Sequence, residues 1–338
     1  MRVGIHGLIK YYKIYMKKIL LILSVVLFSA CYEDYVVDYD YSGIYFTNQT
    51  DVRSFIVGER MTFDTGAILG GVLENTSKRE VFFEIAPELL TDQVLEQMRS
   101  SKYSYVKEAL EGVEHLEFLP QEWYSLSNNE KMVIEKGKYA GILTITANDQ
   151  FIQNPSETLK AKYALPLRIT GADADSLIKG KEYTVIAVKY ECKLFGNYYH
   201  YGEWTSYDAE GNETGKDAVR FSLPMSENTI NELVTNAPYQ VLATKAANLS
   251  GYKMLIQLNP VTNEVSLTAP EGANYTIEAA GECKYNNPKL LQDRKMMFQY
   301  KVTKEDGSYV IAKDTLAFRN RIRDGVNEWR DEDPNNYK

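Results

Sequence analysis

Short runs of alternating apolar and polar residues recur from Gly43 onward, separated by Asn, Gly, Pro and Asp. Half-buried strands joined by tight turns produce this pattern. The clearest run puts Tyr163, Leu165, Leu167 and Ile169 on one face and Lys162, Ala164, Pro166 and Arg168 on the other, predicting a strand with one buried face. Pro166 has no N–H for a ladder, so it is expected on an edge strand or at a bulge. The same period appears in Val81, Phe83 and Ile85, in Tyr183, Val185 and Ala187, and in Met296, Phe298, Tyr300 and Val302. These positions read as core. Only one stretch changes period: Leu90, Val94, Leu95 and Met98, then Val106, Ala109, Leu110 and Val113, repeat at helical spacing around the Gly112 stop. This predicts a helical pair near 88–113 covering one end or edge of the first sheet.

The second half reads as strands at about 197–206, 217–223, 228–235, 239–246, 252–258, 263–268, 275–283, 295–303 and 308–318. Connections such as Asn259-Pro260, Pro270-Glu271-Gly272 and Glu305-Asp306-Gly307 are short, so neighbours should pair antiparallel. A meander of that size tends to close into an up-and-down barrel, which removes its edges. With 338 residues the chain is long enough for two domains. The pattern restarts at Gly196, which places the boundary near 190–195 and the domains at 41–190 and 191–338.

Residues 1 to 30 carry Arg2, Lys10, Lys13, Lys17 and Lys18, no acid, and the apolar run from Ile19 to Phe28. That is the layout of a secretory signal peptide, and the run is too short to span a bilayer. Met16-Lys17-Lys18 is a compact alternative start. Ser29-Ala30-Cys31 resembles a bacterial lipobox, with Phe28 in place of the usual Leu, which implies a lipidated Cys31. Several acyl chains on one residue anchor a protein that does not span. Four acids in the nine residues 32–40 form a solvated tether and resemble the export signal of Bacteroidetes surface lipoproteins. An outer-membrane, lipid-anchored, outward-facing protein is therefore expected.

Composition narrows the chemistry. The 26 Tyr, against 12 Phe and 3 Trp, suit sheet faces and wet binding surfaces. The formal charge of −8 falls to about −13 once the presequence is removed, which argues against nucleic acid as a partner. Three His and three Cys are few for imidazole or thiolate metal sites, and no calcium-loop spacing occurs. No metal or cofactor is expected. Cys192 and Cys283 share a compartment in which a disulfide could persist, but sequence does not show whether they meet.

Gly43-Ile44-Tyr45-Phe46, Leu119-Pro120, Ile134 with Gly137, and Tyr163-Ala164-Leu165-Pro166-Leu167-Arg168-Ile169 resemble an N-terminal Ig-like domain of unknown function. That domain is common in surface lipoproteins of Bacteroidetes glycan-utilisation loci. Phe195-Gly196-Asn197-Tyr198-Tyr199-His200-Tyr201-Gly202 and the segment from Thr315 to Trp329 resemble its companion, a C-terminal lipocalin-like domain. The resemblance implies a mainly β fold, an Ig-like β-sandwich with a helical insertion followed by a lipocalin-like antiparallel up-and-down β-barrel. It also implies a glycan-capture accessory working beside an outer-membrane importer complex.

No serine-nucleophile elbow, zinc-protease pair, P-loop or dinucleotide fingerprint occurs, and catalysis is not expected. A glycoside hydrolase using an unidentified carboxylate pair stays open, because that reaction needs only two carboxyls at a fixed separation. Sugar binding requires flat apolar rings with polar groups at the rim. The densest supply is Tyr198-Tyr199-His200-Tyr201 with Trp204 and Tyr207. Strand alternation puts Tyr199 and Tyr201 on one face and Tyr198, His200 and Trp204 on the other, so one set should be core. The glycan-binding candidates are Tyr199, Tyr201, Trp204, Tyr207 and Trp329. For Trp329 and its neighbours Arg319, Arg321, Arg323 and Arg330, the competing role is to close the barrel and tie down the C-terminus. Trp123 and Tyr124 fit either an exposed loop or packing. The expected function is noncatalytic capture of a polysaccharide or oligosaccharide; a structural or adhesive protein binding a protein partner is the further alternative.

Overall fold

The computed structural model describes residues 40–331; the presequence, Cys31 and the stretch 32–39 lie outside the described residues. The chain is mainly β. One sheet of the first domain orders its strands Ser176–Leu177, Asp40–Phe46, Thr62–Val72, Ala140–Ala147 and Tyr124–Leu126; the other orders Thr50–Val57, Tyr183–Cys192, Tyr163–Ala172, Arg79–Ile85 and Lys131–Ile134. Ile44, Phe46, Leu69, Leu143 and Ile145 from the first sheet pack against Phe55, Val81, Leu165, Leu167 and Val188 from the second. A sandwich core results.

Three expectations need correction here. Tyr163–Ala172 is an interior strand, paired with Tyr183–Cys192 on one side and Arg79–Ile85 on the other, so Pro166 is not at an edge. It is tolerated because the ladder with Arg79–Ile85 ends at the pair Ile85 and Leu167, and Ala86 N donates to the Pro166 carbonyl just beyond it. The missing N–H falls on the side where the neighbouring strand has run out. The strand's second face is also buried. Helices Asp92–Arg99, with Thr91 accepting from Val94 N at its start, and Ser104–Ala109 pack Leu95, Met98, Val106 and Ala109 onto Val52, Ala164, Val185 and Ala187. The helical pair covers a sheet face next to an edge strand, not simply the edge.

The second domain is a nearly closed barrel. Its strands run Val265–Thr268, Met254–Leu258, Gln240–Ala243, Ile230–Ala237, Gly196–Tyr207, Tyr309–Arg323, Lys295–Lys304 and Tyr275–Ala279. Every ladder between them is antiparallel. The first and last long strands, Gly196–Tyr207 and Tyr309–Arg323, pair with each other and close the circuit. The remaining seam, between Val265–Thr268 and Tyr275–Ala279, is tied at one end by Val265 N donating to the Cys283 carbonyl at 3.1 Å. The strand expected at 217–223 instead occupies Glu213–Val219, exposed along nearly its whole length and paired with the second half of Gly196–Tyr207. Tyr198, Trp204, Met296, Phe298, Tyr300 and Leu316 fill the interior. Cys192, buried, and Cys283, half-buried, are free thiols.

The turn after Thr50–Val57 carries Glu59 into the second domain. Its carboxylate meets Arg294 at 2.7 Å and Arg321 at 2.8 and 3.1 Å, and all three side chains are almost sealed from water. The two guanidinium groups hold the Glu59 carboxyl at about 2 against the desolvation that would raise it. Beside this cluster, Ser54 donates from its hydroxyl and backbone N–H to Asp324. Burial raises the Asp324 carboxyl above the usual carboxylate range.

Candidate functional site

The strand Gly196–Tyr207 divides the aromatic cluster as alternation requires. Tyr198, His200 and Trp204 point into the barrel, while Tyr199 and Tyr201 stand half-buried on its outer wall. Inside, the Trp204 indole donates to Asp314 Oδ1 at 2.6 Å and the Tyr300 hydroxyl donates to Asp314 Oδ2 at 2.5 Å. His200 Nε2 lies 3.0 Å from the same Oδ2, an ionic contact when the imidazole is protonated. Ala247 N in turn donates to the Tyr300 oxygen. Burial and the Asp314 charge push the Tyr300 hydroxyl well above the usual tyrosine range. Room for the carboxylate depends on Gly202, where a Cβ would stand 2.3 Å from the Lys313 carbonyl and 2.8 Å from Asp314 Oδ1. Trp204 is therefore part of a buried polar anchor and offers no ring face to the surface, a correction to its place among the surface stacking candidates.

Outside, Tyr199 and Tyr201 gather the loop that follows Glu213–Val219. The Phe221 ring sits edge-on to both, with centroids 5.5 and 5.8 Å away. The Tyr199 hydroxyl contacts Met225 Sδ at 3.5 Å. Phe221 is 41% exposed, Met225 53% and Leu223 79%. Cross-strand pairing sets Ile230 beside Tyr199, and Thr315 and then Met297 beside Tyr201. The outcome is a contiguous apolar and aromatic patch on the barrel wall. Phe221, Leu223, Met225 and Met297 were not singled out in the sequence: the loop has no period, and only its run Phe221-Ser222-Leu223-Pro224-Met225 marks an apolar cluster between turns.

The other candidates do not join this patch. Tyr207, at the far end of the strand, stacks on Tyr309 at 4.8 Å and 12°, and Lys301 Nζ lies 4.3 Å from the Tyr309 ring. Trp329 is 57% exposed, with Arg330 5.5 Å from its ring. Among the C-terminal arginines, Arg321 binds Glu59 and Glu328, and Arg323 binds Glu328. Trp123 packs edge-on against Phe151 and Tyr163, and Tyr124 is buried. No cluster of three or more metal-ligating side chains occurs among the described residues, and no helix among them is long and apolar enough to cross a membrane.

A groove of about 560 Å³ lies between the helical pair and the barrel. Ser104, Tyr105 and Glu108 line one side and Asn197, Glu232 and Val234 the other.

A family model described as a "-like, N-terminal domain" matches residues 39–176. No curated protein matches the chain. Among solved structures, the chain is similar to a structural-genomics protein of unknown function from Bacteroides ovatus, with 18% identity over 87% of this chain and 99% of that one and a TM-score of 0.62. A second Bacteroides ovatus protein of unknown function aligns at 16% identity over 86% and 100% with a TM-score of 0.42. A third, a "putative carbohydrate binding protein" from Bacteroides ovatus, aligns at 15% identity over 67% and 66% with a TM-score of 0.29. The first of these shares the fold across both domains; the other two superpose too loosely to bear on function.

Proposed function

We propose that the protein is a noncatalytic glycan-binding protein, held at the cell surface through a lipid on Cys31 and presenting the Tyr199–Tyr201–Phe221 patch to a polysaccharide. The observation that supports this most directly is the gathering of three aromatic rings on an outward barrel face. Such rings bury the C–H faces of sugars at little entropic cost. The signal-peptide-like run, the lipobox-like Ser29-Ala30-Cys31 and the acidic residues 32–40 support this address, and an outer-membrane importer complex is the partner that the reading suggests.

Affinity electrophoresis and calorimetry against a polysaccharide panel test the reading. Tyr199→Ala combined with Tyr201→Ala should weaken binding about 5- to 150-fold, from roughly 0.5–1.5 kcal/mol per ring, with the melting transition close to wild type. Retained affinity in the folded double variant would remove the patch from the site. Release of new reducing ends on prolonged incubation would favour the hydrolase alternative. A second reading rests on Leu223 and Met225, which are more exposed than sugar stacking needs and suit a protein partner. Capture of a defined envelope protein that Leu223→Asp abolishes, with no glycan bound, would establish it.

A further inference from the structure

The aromatic patch and the interdomain groove lie on the same barrel surface. Along the outer face of Gly196–Tyr207 the order is Tyr201, Tyr199, Asn197, and the paired strand sets Ile230 beside Tyr199 and Glu232 beside Asn197. Asn197 and Glu232 belong to the groove wall, and Val234 continues it two residues further. Alternate residues on a strand are about 6.6 Å apart, so the step from the last aromatic to the first groove residue is one repeat of the strand. The ladder to Ile230–Ala237 runs unbroken through this step, while the ladder to Tyr309–Arg323 shifts register between Asn197 and Tyr198.

We propose that patch and groove form one continuous track that binds an extended saccharide chain spanning several sugar rings, with the first domain supplying the second wall. This deepens the glycan-binding reading and rests on it. The chemistry changes along the track in the way a chain of rings would require. The patch end offers ring faces. The groove end offers polar groups that the protein leaves unused: among the described residues, neither the Asn197 amide nor the Glu232 carboxylate has a side-chain partner. Ile322, 61% exposed, and Val234, 48% exposed, give apolar contact between these groups. Facing them are the half-buried Tyr105 ring and the exposed Glu108 and Lys160.

An added peptide strand is a poorer occupant. From Asn197 to Tyr199, the strand is already hydrogen-bonded on both sides, to Ile230–Ala237 and to Tyr309–Arg323. No free backbone edge is offered for β-augmentation there. Recognition has to come from side chains, which suits hydroxyl-rich rings.

The test is binding by calorimetry to galactomannan, xylan, pectic galactan and mucin glycans, and to size-graded fragments of each polymer that binds, from disaccharide to decasaccharide. Three proteins are compared: wild type, the patch variant Tyr199→Ala/Tyr201→Ala, and a groove variant Glu232→Ala/Lys160→Ala. Both groove positions are exposed, so the fold should survive, and a melting curve checks it. Affinity should rise at least tenfold between the shortest and longest fragments. The groove variant should lose that rise while keeping wild-type affinity for the disaccharide, and the patch variant should lose binding at every length. A plateau already at the disaccharide, or a groove variant within twofold of wild type on the longest fragment, overturns the continuous track and leaves the glycan reading standing. No binding to any probe by folded wild type overturns both.

Discussion

Replacing Glu59 with alanine is expected to destabilise the folded chain by about 3–5 kcal/mol, the range for removing one partner from a buried ion cluster. Arg294 and Arg321 are each almost fully buried. Without Glu59, Arg321 keeps Glu328, while among the described residues the Arg294 side chain keeps only the Lys193 carbonyl. The desolvation that Glu59 offsets then falls on uncompensated guanidinium charge. Urea unfolding should show a lower midpoint, and an unchanged midpoint would mean that the cluster contributes no net stability. The same contact predicts an acid response. Glu59 titrates at about 2 in the fold against an ordinary 4.5, so its contribution is complete above pH 4.5 and is lost as pH falls toward 2. The lost part is about 3 kcal/mol. Asp324 has the opposite sign. Its folded pKa is raised, so it favours the fold most below its ordinary range and that contribution fades as pH rises. A Glu59→Gln variant should therefore show a flatter or reversed stability profile below pH 4.5, and a profile parallel to wild type would contradict the assignment.

This cluster also shows where reading the sequence reaches its limit. Alternation along 196–207 correctly separates Tyr199 and Tyr201 from Tyr198, His200 and Trp204, because the two-residue period is local and survives any tertiary arrangement. Which of the two faces is core depends on which side the barrel closes around, and that is settled by strands more than a hundred residues away, such as Tyr309–Arg323. Glu59 gives no local signal at all: it is one charged residue in a Gly-containing turn, and only the approach of Arg294 and Arg321 defines its role. Pro166 fails for a related reason. The edge-strand rule assumes that a ladder continues past the proline, whereas here the neighbouring strand ends at Ile85. The Phe221 loop lacks periodicity, so its contribution to the patch becomes visible only when it folds back over Tyr199 and Tyr201.

Asp314 should be the other position of large effect. Asp314→Ala leaves the Trp204 N–H and the Tyr300 hydroxyl without their acceptor and removes the carboxylate facing His200. Each of the two orphaned donors costs about 1–3 kcal/mol, so a loss of about 2–6 kcal/mol is expected by urea unfolding, with a smaller loss for Asp314→Asn, which retains one acceptor oxygen. Because Trp204 and Tyr300 share this carboxylate, Tyr300→Phe combined with Asp314→Asn should cost less than the two changes added together. Strict additivity would show that the pair does not act as a unit. The anchor lies inside the barrel, and the proposed binding face lies outside on the same strand. Its role there is to hold Gly196–Tyr207 against Tyr309–Arg323, so that Tyr199 and Tyr201 keep their alignment. Under conditions where Asp314→Asn remains folded, its glycan affinity should stay within about twofold of wild type, a difference of roughly 0.4 kcal/mol. A folded Asp314→Asn protein with no affinity would instead bring the barrel interior into the binding site and displace the outer wall from that role.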